Sequence, residues 1–204
     1  MKHVPWVSGT IVALAVAAMV TLGIWQLGRA DEKATLLAQF STAARLPPMA
    51  YPAIATGNDL WFRRATGFCL EPVSTMIEPG RNVGGQTGWR HLAACRTGAE
   101  GPGMVVDIGW SKDFKFKPVW RGGEVSGVIA PQPDHRSLIG KAFDRGSVSA
   151  LMLVATTPAT GLEPSAPPAI ADVPNNHFAY AVQWFIFAAL AALIYAIALR
   201  RQRS

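Results

Sequence analysis

Charge is scarce in this chain: of its 204 residues only 16% are Asp, Glu, Lys or Arg, against about 25% in an ordinary soluble domain. Cysteine is scarcer still. Two thiols, Cys69 and Cys95, make no disulfide framework of the kind that staples small secreted domains. Neither lies in C-x-x-C or C-x-x-x-C, so the usual thiol-redox and copper-shuttle spacings are absent. Also missing are G-x-S-x-G, H-E-x-x-H, a Walker sequence and C-x-x-C-H, the short motifs of common hydrolases, metalloproteases, nucleotide-binding loops and covalent heme attachment. The six methionines are scattered rather than gathered into a copper tract, and no spacing of Ser, His and Asp picks out a triad. Nothing here argues for an enzyme.

The net charge of +6 is not a nucleic-acid signal either. Lys2, Arg200, Arg201 and Arg203 sit at the two ends, and the remaining fifteen basic residues face thirteen acidic ones. That is a mixed surface with no basic stripe to follow phosphates.

What the chain has is an apolar excess at its ends. Residues 4–27 and 178–199 contain no charge, and each meets the roughly 20-residue length of a helix crossing a bilayer. This excludes a soluble cytosolic protein and a many-span transporter. It leaves a stretch between the spans large enough for one domain with its own core. The basic termini place both ends in the cytoplasm by the positive-inside rule, and the middle across the membrane. Ala15-Val16-Ala17 resembles a signal-peptidase site, but the apolar run continues well past it, longer than a secretory h-region. An uncleaved anchor is therefore expected.

The expected organisation is a cytoplasmic N-terminus (1–3), a first span (4–27), a juxtamembrane helix and linker (28–58), a β-rich domain (59–157), a Pro-rich return segment (158–176), a second span (177–199) and a basic tail (200–204). Arg29 to Phe40 lacks Gly and Pro and continues the first helix. Pro47, Pro48 and Pro52 then mark the linker. In residues 103–110, Met104, Val106, Ile108 and Trp110 share one face, the period of a strand. Similar runs at 61–70, 87–96, 124–130 and 148–156 are separated by Gly-, Pro- and Asp-rich turns. The middle is read as mainly antiparallel β, either a small barrel or a sandwich. Cys69 and Cys95 are equally readable as a bridge across strands or as two buried thiols. Pro174-Asn175-Asn176 supplies an N-cap for the second span.

His3, His91 and His135 have ordinary structural or solvated readings. His177 differs, because an imidazole at the edge of a span is costly to bury without a partner and is a functional candidate by default. At 100° per residue, Tyr180 and Trp184 fall near His177, whereas Gln183 points away. Interfacial anchoring alone accounts for the two aromatics, but a neutral imidazole beside them can also ligate a heme iron. The first span ends comparably in Trp25, Gln26, Arg29 and Lys33. The two cations either snorkel and pair with Asp31 or Glu32, or meet porphyrin propionates or anionic lipid headgroups.

GIWQLGRADEK (23–33) resembles the G-x-W-Q-x-x-R-x-x-x-K pattern of the Surfeit-locus (Surf/Shy) family of cytochrome c oxidase assembly factors. PNNHFAYAVQWFIFA (174–188) resembles that family's N-x-H-x-x-Y-A-x-Q-W-F hallmark. The resemblance spans the chain, with its specific motifs at the two ends. It implies a bacterial inner (plasma) membrane protein that assists biogenesis of the heme-copper oxidase and delivers heme a to the catalytic subunit, with heme a synthase as a further partner and the bilayer as its setting. It further implies that His177 ligates the heme iron and that Trp184 takes part; the stripes read above add Tyr180, Trp25 and Arg29 to the expected cofactor-binding set. Ile108 stands where the family pattern has an arginine, which withdraws any role of that arginine here. The competing reading is a membrane-anchored scaffold that holds oxidase subunits and binds no cofactor. The small residues Ala188, Ala189, Ala191, Ala192 and Ala196 permit the close helix contact that either reading uses.

Overall fold

The structure is a computed structural model describing residues 6–54, 56–98, 103–136 and 149–203, with backbone alone for 202 and 203. The expected cytoplasmic segment 1–3, with Lys2 and His3, lies outside the described residues, as do Val148 and the last residue of the tail. The chain forms two compact units. One takes in the residues up to Ala38 and those from Val173 onward, and the other runs from Gln39 to Asp172.

The first unit is helical. Helix α1 covers Trp6–Arg45 without interruption, so the helix continues past residue 27 into the segment that follows. Residues 28–45 stay helical because they are rich in Ala and contain no Pro. The helix stops at Leu46, where Pro47 and Pro48 deny the preceding residue the α conformation. Its 40 residues give about 60 Å at 1.5 Å per residue, about twice the hydrocarbon thickness of a bilayer. Helix α2 covers His177–Arg203 and opens with the Tyr180 N–H donating to the Asn176 carbonyl at 3.1 Å. Asn176 thus stands at the cap position that Asn favours. Each helix contains a window of mean hydropathy 2.2, long and apolar enough to cross a membrane, which is consistent with membrane anchoring.

The second unit is one mixed seven-stranded sheet: β1 (Met49–Ala50), β2 (Arg64–Cys69), β3 (Glu71–Arg81), β4 (Thr87–Arg96), β5 (Met104–Ser111), β6 (Gly123–Pro131) and β7 (Leu151–Ala155), in the order β1-β2-β6-β7-β5-β4-β3. Pairings β1/β2 and β5/β7 are parallel and the others antiparallel. Neither a closed barrel nor a two-sheet sandwich is present among the described residues. Strand β7 lies in the middle and is buried along its whole length, which explains its continuous apolar run in place of alternation. Residues 61–63, expected in a strand, form a turn instead.

Strand β3 was not expected, because Pro72 and Pro79 argue against a strand. It is the edge strand, where a missing N–H does no harm.

The sheet is rolled. Strands β2 and β4 are separated in the ladder by β6, β7 and β5, and four spacings of about 4.8 Å would hold them about 19 Å apart in a flat sheet. Yet Cys69 on β2 and Cys95 on β4 are joined by a disulfide with their Cα atoms 5.3 Å apart. Only Leu70 separates β2 from β3, and its N–H donates to the Arg96 carbonyl at 2.9 Å beside the bridge. One bent strand therefore pairs with β6 along its first half and with β4 along its second. The roll encloses the main core of Ala93, Met104, Val106, Ile108, Ile129, Leu151 and Leu153, while Leu92, Ala130, Met152 and Val154 form a smaller cluster. Gly109 serves the bend: its φ of +133° sits opposite His91 where the β4/β5 register shifts, a conformation that an L side chain rarely takes.

Part of the proline-rich segment after β7 pads the sheet rather than only leading away. Trp110 and Glu163 exchange backbone hydrogen bonds of 2.7 and 2.9 Å, and the Ala159 N–H donates to the Ile108 carbonyl. At the other end of the unit, Phe40 in the last turns of α1 packs on Trp61 and Phe62, with ring centroids 5.6 and 4.9 Å away.

Both sulfurs of the bridge are buried, so it is expected to resist reductant in the native protein and to yield thiols only after denaturant is added. The entropy of closing a loop of sequence separation 26 corresponds to about 3.5 kcal/mol. Cys69→Ala with Cys95→Ala should lower the unfolding free energy by roughly that amount, as measured by chemical denaturation.

Candidate functional site

Neither long helix has a polar side, so their pairing has to be traced through close contacts. On α1 the half-buried and buried positions Gly9, Val12, Val16, Met19, Gly23, Gln26 and Ala30 recur at alternating three- and four-residue steps. On α2 the same spacing joins His177, Ala181, Trp184, Ala188, Ala191 and Tyr195. This is the seam of an antiparallel helix pair, kept close by small residues. A Cβ on Gly9 would stand 2.9 Å from the Tyr195 hydroxyl, and one on Gly23 would stand 2.6 Å from the Phe185 ring. Of the alanines singled out above, Ala188 is buried and Ala191 half-buried, while Ala189, Ala192 and Ala196 are exposed. Ala181, which is fully buried, takes the place expected of them.

Near the start of α2 the seam carries a polar pair. His177 Nδ1 lies 2.7 Å from Gln26 Oε1 across 151 residues of sequence. A carbonyl oxygen only accepts, so Nδ1 is the donor to Gln26, and a neutral ring in this arrangement has its lone pair on Nε2. Among the described residues nothing else hydrogen-bonds this imidazole. Such a ring suits iron ligation, because metal-bound histidines usually donate their other N–H to a protein acceptor.

The other candidates fall in different places. Trp184 is half-buried on the same seam and meets Phe187 edge-on at 6.2 Å. Tyr180 and Trp25 are half-exposed, at 50% and 55%. Arg29 is exposed and paired with Glu32, one turn away, as its acidic neighbours allowed. No hydrogen bond or ring contact among the described residues joins Trp25, Arg29 or Tyr180 to His177. Gln26 was visible in the sequence as one of the polar residues ending the first span. Its partner was not, because stripes drawn on one helix cannot reveal a bond to another.

The buried Asp107 and His91 of the sheet unit are engaged by its own structure, whereas Trp61 Nε1 and Arg63 Nε are buried without a hydrogen-bond partner among the described residues. Asp107 is fully buried. Its Oδ2 takes bonds of 2.7 Å from both Nε and Nη2 of Arg90, and its Oδ1 accepts from the Gly109 N–H and the Ser165 hydroxyl. No lone pair is left for a substrate. His91, also buried, has Nε2 at 2.9 Å from the Ser111 hydroxyl, whose single proton goes to the Asp113 carbonyl. The imidazole therefore donates to Ser111 from Nε2. His135 pairs with Glu78 at the surface. Two clefts of about 500 and 420 Å³ open on this unit, and Glu124 lines both. The smaller includes Ile108, a core residue at the position where the resemblance has an arginine. Burial pushes the Tyr51 phenol, beside the larger cleft, up to about 12.

The SURF1 family profile matches residues 13–189. That span contains both helix-end motifs and every candidate named above. No curated protein matches the chain.

Burial holds the His91 imidazole below its usual pKa, against an opposing pull from Asp107. Because the unfolded chain takes up this proton more readily than the folded one, stability is fully present above the ordinary His range and is lost as pH falls through it. Unfolding free energy should therefore fall between about pH 7.5 and about pH 5.5. His91→Gln, which retains a donor toward Ser111, should flatten that part of the profile in denaturant titrations.

Proposed function

Because the chain belongs to the SURF1 family, whose role is in cytochrome c oxidase assembly, we propose that it binds heme a at the start of α2 and assists its transfer to the oxidase's catalytic subunit. The observation that carries this reading is the 2.7 Å contact of His177 Nδ1 with Gln26 Oε1, which leaves Nε2 without a partner among the described residues. Heme a is cargo in this scheme, and it supplies the iron that an axial nitrogen can bind. His177 provides that nitrogen, and Trp184 on the same seam provides an apolar face. Trp25 and Tyr180 are exposed enough to close over a planar ligand. Arg29 is available to a propionate, because its exposed pairing with Glu32 is worth only about 0.2–1 kcal/mol and exchanges readily.

One axial histidine with apolar packing also suits the task. A carrier has to shield heme from water and still release it, and a second axial ligand would oppose release. The partners of this reading are the catalytic subunit and heme a synthase. The location is the bacterial inner membrane, with both termini cytoplasmic and the sheet unit periplasmic, as the charge at the helix ends favours. The protein acts as an assembly factor, not an enzyme.

The Arg29–Glu32 pair favours a second reading. With Arg29 so engaged, the exposed Trp25 and Tyr180 are docking surfaces of a scaffold that holds an oxidase subunit without any cofactor.

Purification from cells that make heme a, followed by absorption spectroscopy and pigment extraction, separates the two. The carrier yields heme a with a Soret band that His177→Ala abolishes. Unchanged heme content in that variant overturns the ligand assignment, and wild-type protein without heme a supports the scaffold.

A further inference from the structure

The reading above leaves open why the imidazole at the helix edge presents one nitrogen rather than the other. We propose that Gln26 is a positioning residue, which fixes the Nδ1–H tautomer and the ring orientation of His177 so that Nε2 is kept as the ligand for an iron porphyrin. The inference rests on the carrier reading, but it concerns a residue of the other helix and a state that exists before any heme arrives.

Three observations bear on it. The Gln26 Oε1 to His177 Nδ1 distance of 2.7 Å is that of a well-formed hydrogen bond. The acceptor is a carbonyl oxygen, so the alternative tautomer, with its proton on Nε2, would set a lone pair against a lone pair. The helix pair is also built to bring the two side chains together. Gly23 lies one turn before Gln26 on the seam, and a side chain there would run into the Phe185 ring at 2.6 Å. The bare backbone lets α2 approach, and the next seam position of α1 then falls within reach of His177. Finally, an amide among apolar residues is expensive without a partner, and the imidazole N–H supplies one.

A purely structural bond would not care which imidazole nitrogen is left free, whereas this one decides it. In water an imidazole moves between tautomers and rotates. Held by Gln26, it meets its ligand already arranged, and less ordering is left for the binding step.

The test uses the full chain in lipid nanodiscs, with 15N-labelled histidine and no heme. Wild-type protein should give the His177 signals of an Nδ1–H, bare-Nε2 ring, assigned by their loss in His177→Ala. Gln26→Leu should move those signals toward a mixture or the Nε2–H form, with helix content unchanged by circular dichroism. Titration with heme a should then show affinity weakened about 10–100-fold in Gln26→Leu, whereas Gln26→Glu, whose carboxylate oxygen is the stronger acceptor, should match or exceed the wild type. An Nε2–H ring in the wild type, or wild-type tautomer and affinity in Gln26→Leu, overturns the inference. Heme a binding that is lost in His177→Ala but untouched in Gln26→Leu overturns the role of Gln26 alone. Binding untouched in His177→Ala overturns the carrier site, and the inference with it.

Discussion

A polar group removed from water must find its partner inside the protein, and both units of this chain are arranged around that constraint. In the sheet unit, Asp107 meets it with four donors drawn from β4, β5 and the segment after β7. The return segment is thereby tied to the sheet, since Ser165 is one of those donors. Removal of any partner would leave a buried charge short of bonds, which is why such a group serves the fold and not chemistry. In the helical unit, Gln26 and His177 satisfy each other, but only in part. The imidazole keeps one nitrogen unengaged among the described residues, and that incompleteness is what the proposed binding role draws on.

The same distinction separates His91 from His177. His91 is enclosed by strands, donates to Ser111 and lies edge-on to Phe116 at 6.1 Å, so a ligand has no route to it without disturbing the core. His177 is half-buried at the first turn of α2. The difference has a physical reason: a histidine within a strand pattern has neighbours that can satisfy it, and one at the end of an apolar run has few.

How much could be read from residues alone depended on whether the deciding contact was local. The apolar runs and the proline stop of α1 are local, and β4 occupies the same residues that its pattern indicated. Strand β3 was hidden because Pro72 and Pro79 forbid a central strand, and the sequence carries no mark that this strand is an edge. The roll of the sheet was hidden because it depends on β2 and β4 meeting across three intervening strands. The cysteines held that information, but their spacing fits a bridge and two thiols equally. Gln26 was overlooked as a site residue for the same cause: it stood beside Trp25 and Arg29, whose chemistry is more conspicuous, while its own partner lies on another helix.

A carrier needs a site that shields its cargo and still releases it. Binding by the apolar faces of Trp184, Trp25 and Tyr180 is non-directional, so it would shield a porphyrin without fixing it rigidly. In the proposed carrier, a His177–iron bond would add a directional contribution whose strength is adjustable through the acceptor behind the imidazole. A neutral amide oxygen, as in Gln26, polarises the ring less than a carboxylate would and leaves it a weaker donor to iron. A subunit offering a better-supported histidine could then take the cargo without any change of fold in the carrier. On this argument the choice of amide over carboxylate at residue 26 reflects transfer, where a permanent heme site would favour the carboxylate.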